Sequence, residues 1–257
     1  MGLTSTSIRR SSPLHTQGET ANYYAFAAVR ADGAVFAWGD STAGGDSSAV
    51  ASQINGSIDV VQIFSASRAF AALRADGSVV TWGDGDFGGN SSAVAAQLNG
   101  SIDVVNIFST GEAFAALRAD GSVVTWGNQL LGGNSSAVSS ALNGTIDVTQ
   151  IAAAQFSFAA LRTDGSVVTW GDSSTGGGNS SGVASQLDGT VDVVKLFSAG
   201  GAFAALRVDG SVVTWGNSTQ GGNSSAVASA INGSNNALDV TDIVGTQGAF
   251  AALRADG

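Results

Sequence analysis

The chain has 257 residues, 36 of them glycine and none cysteine, and its ten basic and twenty acidic side chains leave a net charge of −10. Without cysteine there is neither a disulfide framework nor thiolate chemistry. With Lys195 as the single lysine, the surface lacks the clustered cations that nucleic-acid phosphates require, and no run of 18 apolar residues is present to cross a bilayer as a helix.

Residues 1–21 stand apart as an N-terminal segment. They hold the only proline, Pro13, and the only histidine, His15, and they lack the apolar core of a secretory signal. The segment is expected to be a flexible tail or a strand that closes the array. Residues 22–257 read as one repeat domain. Trp38, Trp82, Trp126, Trp170 and Trp215 are each followed by glycine, at spacings of 44, 44, 44 and 45 residues. A fixed period of this size marks a supersecondary unit that is copied and stacked.

The unit is clearest around Trp82. Phe70–Arg74 and Ser78–Trp82 are apolar, β-branched stretches on either side of Asp76-Gly77, which predicts an antiparallel hairpin with a two-residue primed turn. A Gly-rich loop follows at 84–89. Asn90–Leu98, with Val94 and Leu98 four apart, predicts a two-turn helix ended by Asn99-Gly100. Ile102–Phe108 predicts another strand. Both faces of Phe70–Leu73 are apolar, so each small sheet needs cover on both sides, as the blades of a propeller have. The fold expected is all-β: a propeller-like array of five full repeats of 44–47 residues plus a partial sixth, with a short helix in each repeat. Gly176-Gly177-Gly178 and Ser234-Asn235-Asn236 carry the extra residues of the fourth and fifth units. The sixth unit stops at Gly257, before its Ser-Val-Val-Thr-Trp-Gly. This predicts closure by the N-terminal segment, an openly ended or longer array, or an edge that pairs with another chain.

Few residues suggest chemistry. No nucleophile and base pair stands out, and the two isolated carboxylates of a glycosidase cannot be placed by sequence. No catalytic residue is assigned, and a hydrolase is the least favoured function. Asp40, Asp84 and Asp172 follow Trp-Gly, on Gly-rich loops whose oxygens suit calcium, but Asp also favours turns and caps. They are the only metal candidates; no other cofactor is expected. The five Trp are assigned a structural role and are expected to be buried in every unit. The recurring Arg of Leu-Arg-Ala-Asp-Gly is expected to make a surface pair of small value. Nine Asn-x-Ser/Thr sequons follow from the repetition.

The string Val-x-x-Ile-(x)6-Phe-x-x-Leu-x-x-Asp-Gly-x-Val-x-x-Trp-Gly at 104–127 resembles the repeat of the regulator of chromosome condensation family. The resemblance implies a β-propeller, in that family one of seven four-stranded blades. Phe70, Phe114, Phe158 and Phe203 stand where that family has His, and these repeats are shorter. No residues of a nucleotide-exchange loop are recognisable. The reading is a non-enzymatic scaffold that binds a protein or a surface glycan. The alternative is a self-assembling structural or cell-surface repeat protein.

Overall fold

The computed structural model describes residues 21–174, 176–233 and 239–257. The N-terminal segment 1–20 and the insertion at 234–236 lie outside the described residues. Sixteen strands are described: β1 Ala25–Val29, β2 Val35–Gly39, β3 Val60–Ser65, β4 Ala69–Arg74, β5 Val79–Gly83, β6 Val104–Ser109, β7 Ala113–Arg118, β8 Val123–Gly127, β9 Val148–Ala153, β10 Ser157–Arg162, β11 Val167–Gly171, β12 Val193–Ser198, β13 Ala202–Arg207, β14 Val212–Gly216, β15 Val240–Gly245 and β16 Phe250–Arg254. They form six small antiparallel sheets: β1-β2, β3-β4-β5, β6-β7-β8, β9-β10-β11, β12-β13-β14 and β15-β16. The expected all-β, repeated architecture is therefore present, with three strands in each of the four interior sheets where the resembled family has four. The fourth is reduced to a single bridge, Ser78 to Asn99 in the second sheet, backed by Val79 N donating to Leu98 O at 2.9 Å.

The hydrophobic core is divided into layers between successive sheets. In β4, Phe70 and Ala72 pack with Ala25, Val35 and Ile54 of the first blade, while Ala69, Ala71 and Leu73 pack with Val104, Phe114 and Trp126 of the third. Alternate residues of one strand therefore serve two interfaces, which is why neither face is polar.

One local expectation needs correction, and the short helix expected in each unit is present in a specific form. The hairpin turn is a three-residue loop, Ala75-Asp76-Gly77. Gly77 N donates to Arg74 O at 3.0 Å, closing a tight turn, and Arg74 N donates to Ser78 O at 2.9 Å. Only the glycine has positive φ, 72° at Gly77, as in a type I turn followed by a glycine bulge. The helix of each unit is a 3-10 segment, Ser92–Gln97 in the second blade, closed by Val94 N to Ser91 O and Leu98 N to Ala95 O. Two turns give an α-helix too few bonds to offset nucleation, and the longer 3-10 rise carries Leu98 back against β5. Leu98 is buried there. Within each complete sheet the first strand carries a bulge; in β3 the register slips between Val60 and Gln62. No helix among the described residues is long and apolar enough to cross a membrane.

Candidate recognition face

The blades have two ends. At one end lie the hairpin turns, and they hardly vary. Asp-Gly recurs at 32–33, 76–77, 120–121, 164–165, 209–210 and 256–257, preceded by Ala in four units and by Thr163 and Val208 in the others. In the complete units Asp bonds to the Ser two residues on: Asp76 Oδ1 accepts from Ser78 N at 3.1 Å and from its hydroxyl. Partial burial pushes the Asp76, Asp120, Asp164 and Asp209 carboxyls up. The Ser hydrogen bonds and the neighbouring Arg outweigh it and hold each below the ordinary carboxylate value. The Arg is less a surface residue than its sequence position suggests. The Arg118 side chain is only 15% exposed, and it reaches Ser122 at 2.8 Å as well as Asp120 at 3.3 Å.

At the other end, the loops entering the second strand of each blade meet the loops leaving the third. Asp84 N donates to Arg68 O at 3.0 Å, Asn128 N to Glu112 O at 2.9 Å and Asp172 N to Phe156 O at 2.9 Å. The entering loops are also laced to one another along the array. Tyr23 N donates to Ser67 O at 3.2 Å, Ser67 N to Gly111 O at 2.9 Å, Gly111 N to Gln155 O at 2.8 Å, Gln155 N to Gly200 O at 2.7 Å and Gly200 N to Gln247 O at 3.2 Å. On this rigid ladder the side chains differ from unit to unit. Two residues before the repeat's Phe stand Tyr24, Arg68, Glu112, Phe156, Gly201 and Gly248 in turn, and the loop after Trp-Gly brings Thr42, Asp86, Leu130, Ser174 and Thr219.

Two polar clusters are built on this rim. The Arg68 guanidinium bonds to Asp84 at 3.2 Å and to Thr42 Oγ1 at 3.1 Å, with its centre 4.8 Å from the Tyr24 ring and 5.8 Å from that of Phe87. In the next unit Asn128 Nδ2 donates to Glu112 Oε2 at 2.7 Å. Tyr23, Tyr24 and Leu130 are exposed. The entering loops of all six units converge on a recess of about 610 Å³.

The calcium candidates lie on this same rim, in separate units. Asp40 Oδ1 accepts from Thr42 N at 2.8 Å and Oγ1 at 2.7 Å. Hydrogen bonding to the Thr42 hydroxyl, then to its backbone, holds Asp40 below the ordinary carboxylate range. Asp84 accepts from Asp86 N at 3.1 Å, and Asp172 from Ser174 N at 2.8 Å. Each carboxylate thus closes a local turn. The structure does not bring the three together, and among the described residues no group of three or more His, Cys, Asp or Glu is placed to hold a metal ion.

The tryptophans need one correction. Trp82, Trp126, Trp170 and Trp215 are buried, and each donates its indole N–H to a carbonyl of the preceding unit: Gly44, Gly88, Gly132 and Gly177, at 3.0 to 3.1 Å. Trp38 is 53% exposed, because no described unit precedes it to supply that glycine.

Arg68 and Glu112 do not emerge from a search for recurring residues. The signal that marks them is variation among the chain's own units.

Small antiparallel sheets, packed face to face in a repeated series with apolar residues on both sides, define a β-propeller-like protein. No family model matches the chain, nor does any curated protein sequence. Solved structures do. Prp20p of Saccharomyces cerevisiae, the yeast RCC1, is 16% identical, with a TM-score of 0.53 over 92% of this chain and 69% of that one. Human WBSCR16 is 16% identical, with a TM-score of 0.50 over 91% and 70%. The ectodomain of the Physcomitrella patens receptor kinase CR4 is 18% identical, with a TM-score of 0.52 over 91% of this chain and 60% of its own. The fold is RCC1-like.

Proposed function

We propose that the chain is a non-enzymatic scaffold, a compact branch of the RCC1-like repeat proteins, whose variable rim binds another protein. One observation carries this reading. Units nearly identical through their last two strands and hairpin turns carry different side chains on the loops of the opposite end, where a backbone ladder holds Tyr24, Arg68, Glu112, Phe156, Phe87 and Leu130 in fixed places. A rigid frame with varied loops is the arrangement of a recognition surface. Tyr and Arg are residue types on which binding energy concentrates. Two similar structures give it context: Prp20p is described by its binding to Gsp1p and histones, and yeast RCC1 has been seen with Kap60.

The test is selection of binding peptides from a random displayed library, scored against variants of each end. Tyr24→Ser with Leu130→Ser on the rim is expected to abolish most selected binders. Ala75→Ser with Ala119→Ser at the turns is expected to abolish none. Binders indifferent to the rim pair would defeat the proposal.

Self-association is a second reading with its own observation. Phe26, Phe36 and Trp38 of the first blade are all more than half exposed, on the face that a neighbouring unit covers elsewhere. Sedimentation across concentrations would reveal it, and Phe26→Ser with Trp38→Ser would abolish it. A mass that stays monomeric at every concentration rules it out.

A further inference from the structure

Among the described residues, the recess holds one carboxylate and nothing to neutralise it. Only two of the twenty acids in the chain are glutamates, and among the described residues Glu112 is the only one. Among those residues it is also the only Asp, Glu, Lys, Arg or His side chain lining the recess; the rest of the described wall is Ala, Gly, Ser, Thr and Gln, with the rings of Tyr23 and Phe156. Glu112 is half-buried. Its Oε2 accepts from Asn128 Nδ2 at 2.7 Å, and Oε1 has no partner among the described residues. The cation of the rim, Arg68, is occupied by Asp84.

Electrostatics and shape select the occupant. In a chain of net charge −10 an anion would be repelled from this recess. A neutral apolar group would strip water from Glu112 and leave Oε1 unpaired, a costly arrangement. A cation would satisfy Oε1 with a charge-assisted hydrogen bond, and the rings of Tyr23 and Phe156 would add cation–π attraction. The neighbouring loops are locked by Gly111 N to Gln155 O at 2.8 Å and Gln155 N to Gly200 O at 2.7 Å, so the recess is formed before any ligand arrives.

We infer that the recess receives the ammonium or guanidinium end of a Lys or Arg side chain from the bound polypeptide, with Glu112 as its counter-ion. This rests on the rim being the binding face and says what the face selects.

The test uses the rim-dependent binders from the same peptide library, measured against the native chain, Glu112→Gln and, as a control for general charge, Asp86→Asn. Gln keeps an oxygen for Asn128 while removing the charge, and an unchanged melting curve confirms the fold. The expected result is that these peptides carry Lys or Arg. Glu112→Gln should weaken them at least tenfold and Asp86→Asn less than twofold. Replacing the peptide's cation by norleucine should cost the native chain tenfold and cost Glu112→Gln nothing further. Rim-dependent peptides that lack a cation, or that ignore Glu112→Gln, overturn the cation site and leave the binding face standing. An absence of rim-dependent peptides overturns both.

Discussion

The Phe–Trp pair of an interior blade and that of the first blade are built from the same residues in the same geometry. Phe114 stacks on Trp126 at 5.3 Å and 18°, and Phe26 on Trp38 at 5.7 Å and 17°. Yet Trp126 is 4% exposed and Trp38 is 53% exposed. What separates them is the glycine loop of a preceding unit. Gly88 places its carbonyl on the Trp126 indole and lies so close to Phe114 that a Cβ would come within 2.6 Å of the ring. The stability of this fold therefore resides largely at the junctions between blades, as in other arrays of stacked units.

The largest expected effect breaks one such junction. Trp126→Ala removes a buried ring and its hydrogen bond, and should cost about 3–5 kcal/mol in denaturant unfolding. Trp38→Ala, with the same change in chemistry, should cost less than about 1 kcal/mol. Equal costs would mean that the stacked pair, rather than the junction, holds the unit together. Approaching the junction from its other side, Gly88→Ala forces a Cβ against Phe114 at a φ of 93° and should cost about 1–3 kcal/mol.

Acid provides a smaller effect, spread over the turns. Asp76, Asp120, Asp164 and Asp209 are held below their ordinary value in the folded chain. An acid with a depressed folded pKa adds stability above its unfolded pKa, near 4, and that stability is lost as pH falls through the folded value. The melting temperature should be insensitive to these groups from pH 5 to 8 and fall below about pH 4. Asp76→Asn with Asp120→Asn should flatten part of that fall, and a fall equally steep in the double variant would assign it elsewhere. The smallest effect concerns calcium. With the Asp40, Asp84 and Asp172 carboxylates each closing a turn, a chelator should leave the melting temperature unchanged. A drop on chelation would assign a bound cation to those loops, since a ligand of the native state stabilises it by mass action.

The strands were legible because their signal is local and recurs. Val-Val-Thr-Trp-Gly and Phe-Ala-Ala-Leu-Arg carry β-branched and apolar residues on both faces, and a doubly covered sheet follows from that pattern alone. The turn was less so, because Asp-Gly serves both a two-residue primed turn and a three-residue bulged one; the register of Leu73 with Val79 distinguishes them. The exposure of Trp38 was illegible for a different reason. Periodicity makes every unit look alike, whereas burial depends on a neighbour that the first described unit lacks. Glu112 and Arg68 were hidden by the same uniformity. A search for what recurs passes over residues that occur once, and here those single residues populate one end of the blades.

The direction of the tryptophan bonds bears on how the protein is made. Every acceptor glycine comes 38 residues before the indole that bonds to it. As the chain leaves the ribosome, each finished blade is thus a template already in place for the next. No blade from the second to the fifth has to wait for residues not yet translated to cover its tryptophan. From the second blade to the fifth, synthesis and assembly run in the same direction, so each tryptophan meets a finished partner and these junctions stay open to misassembly only briefly.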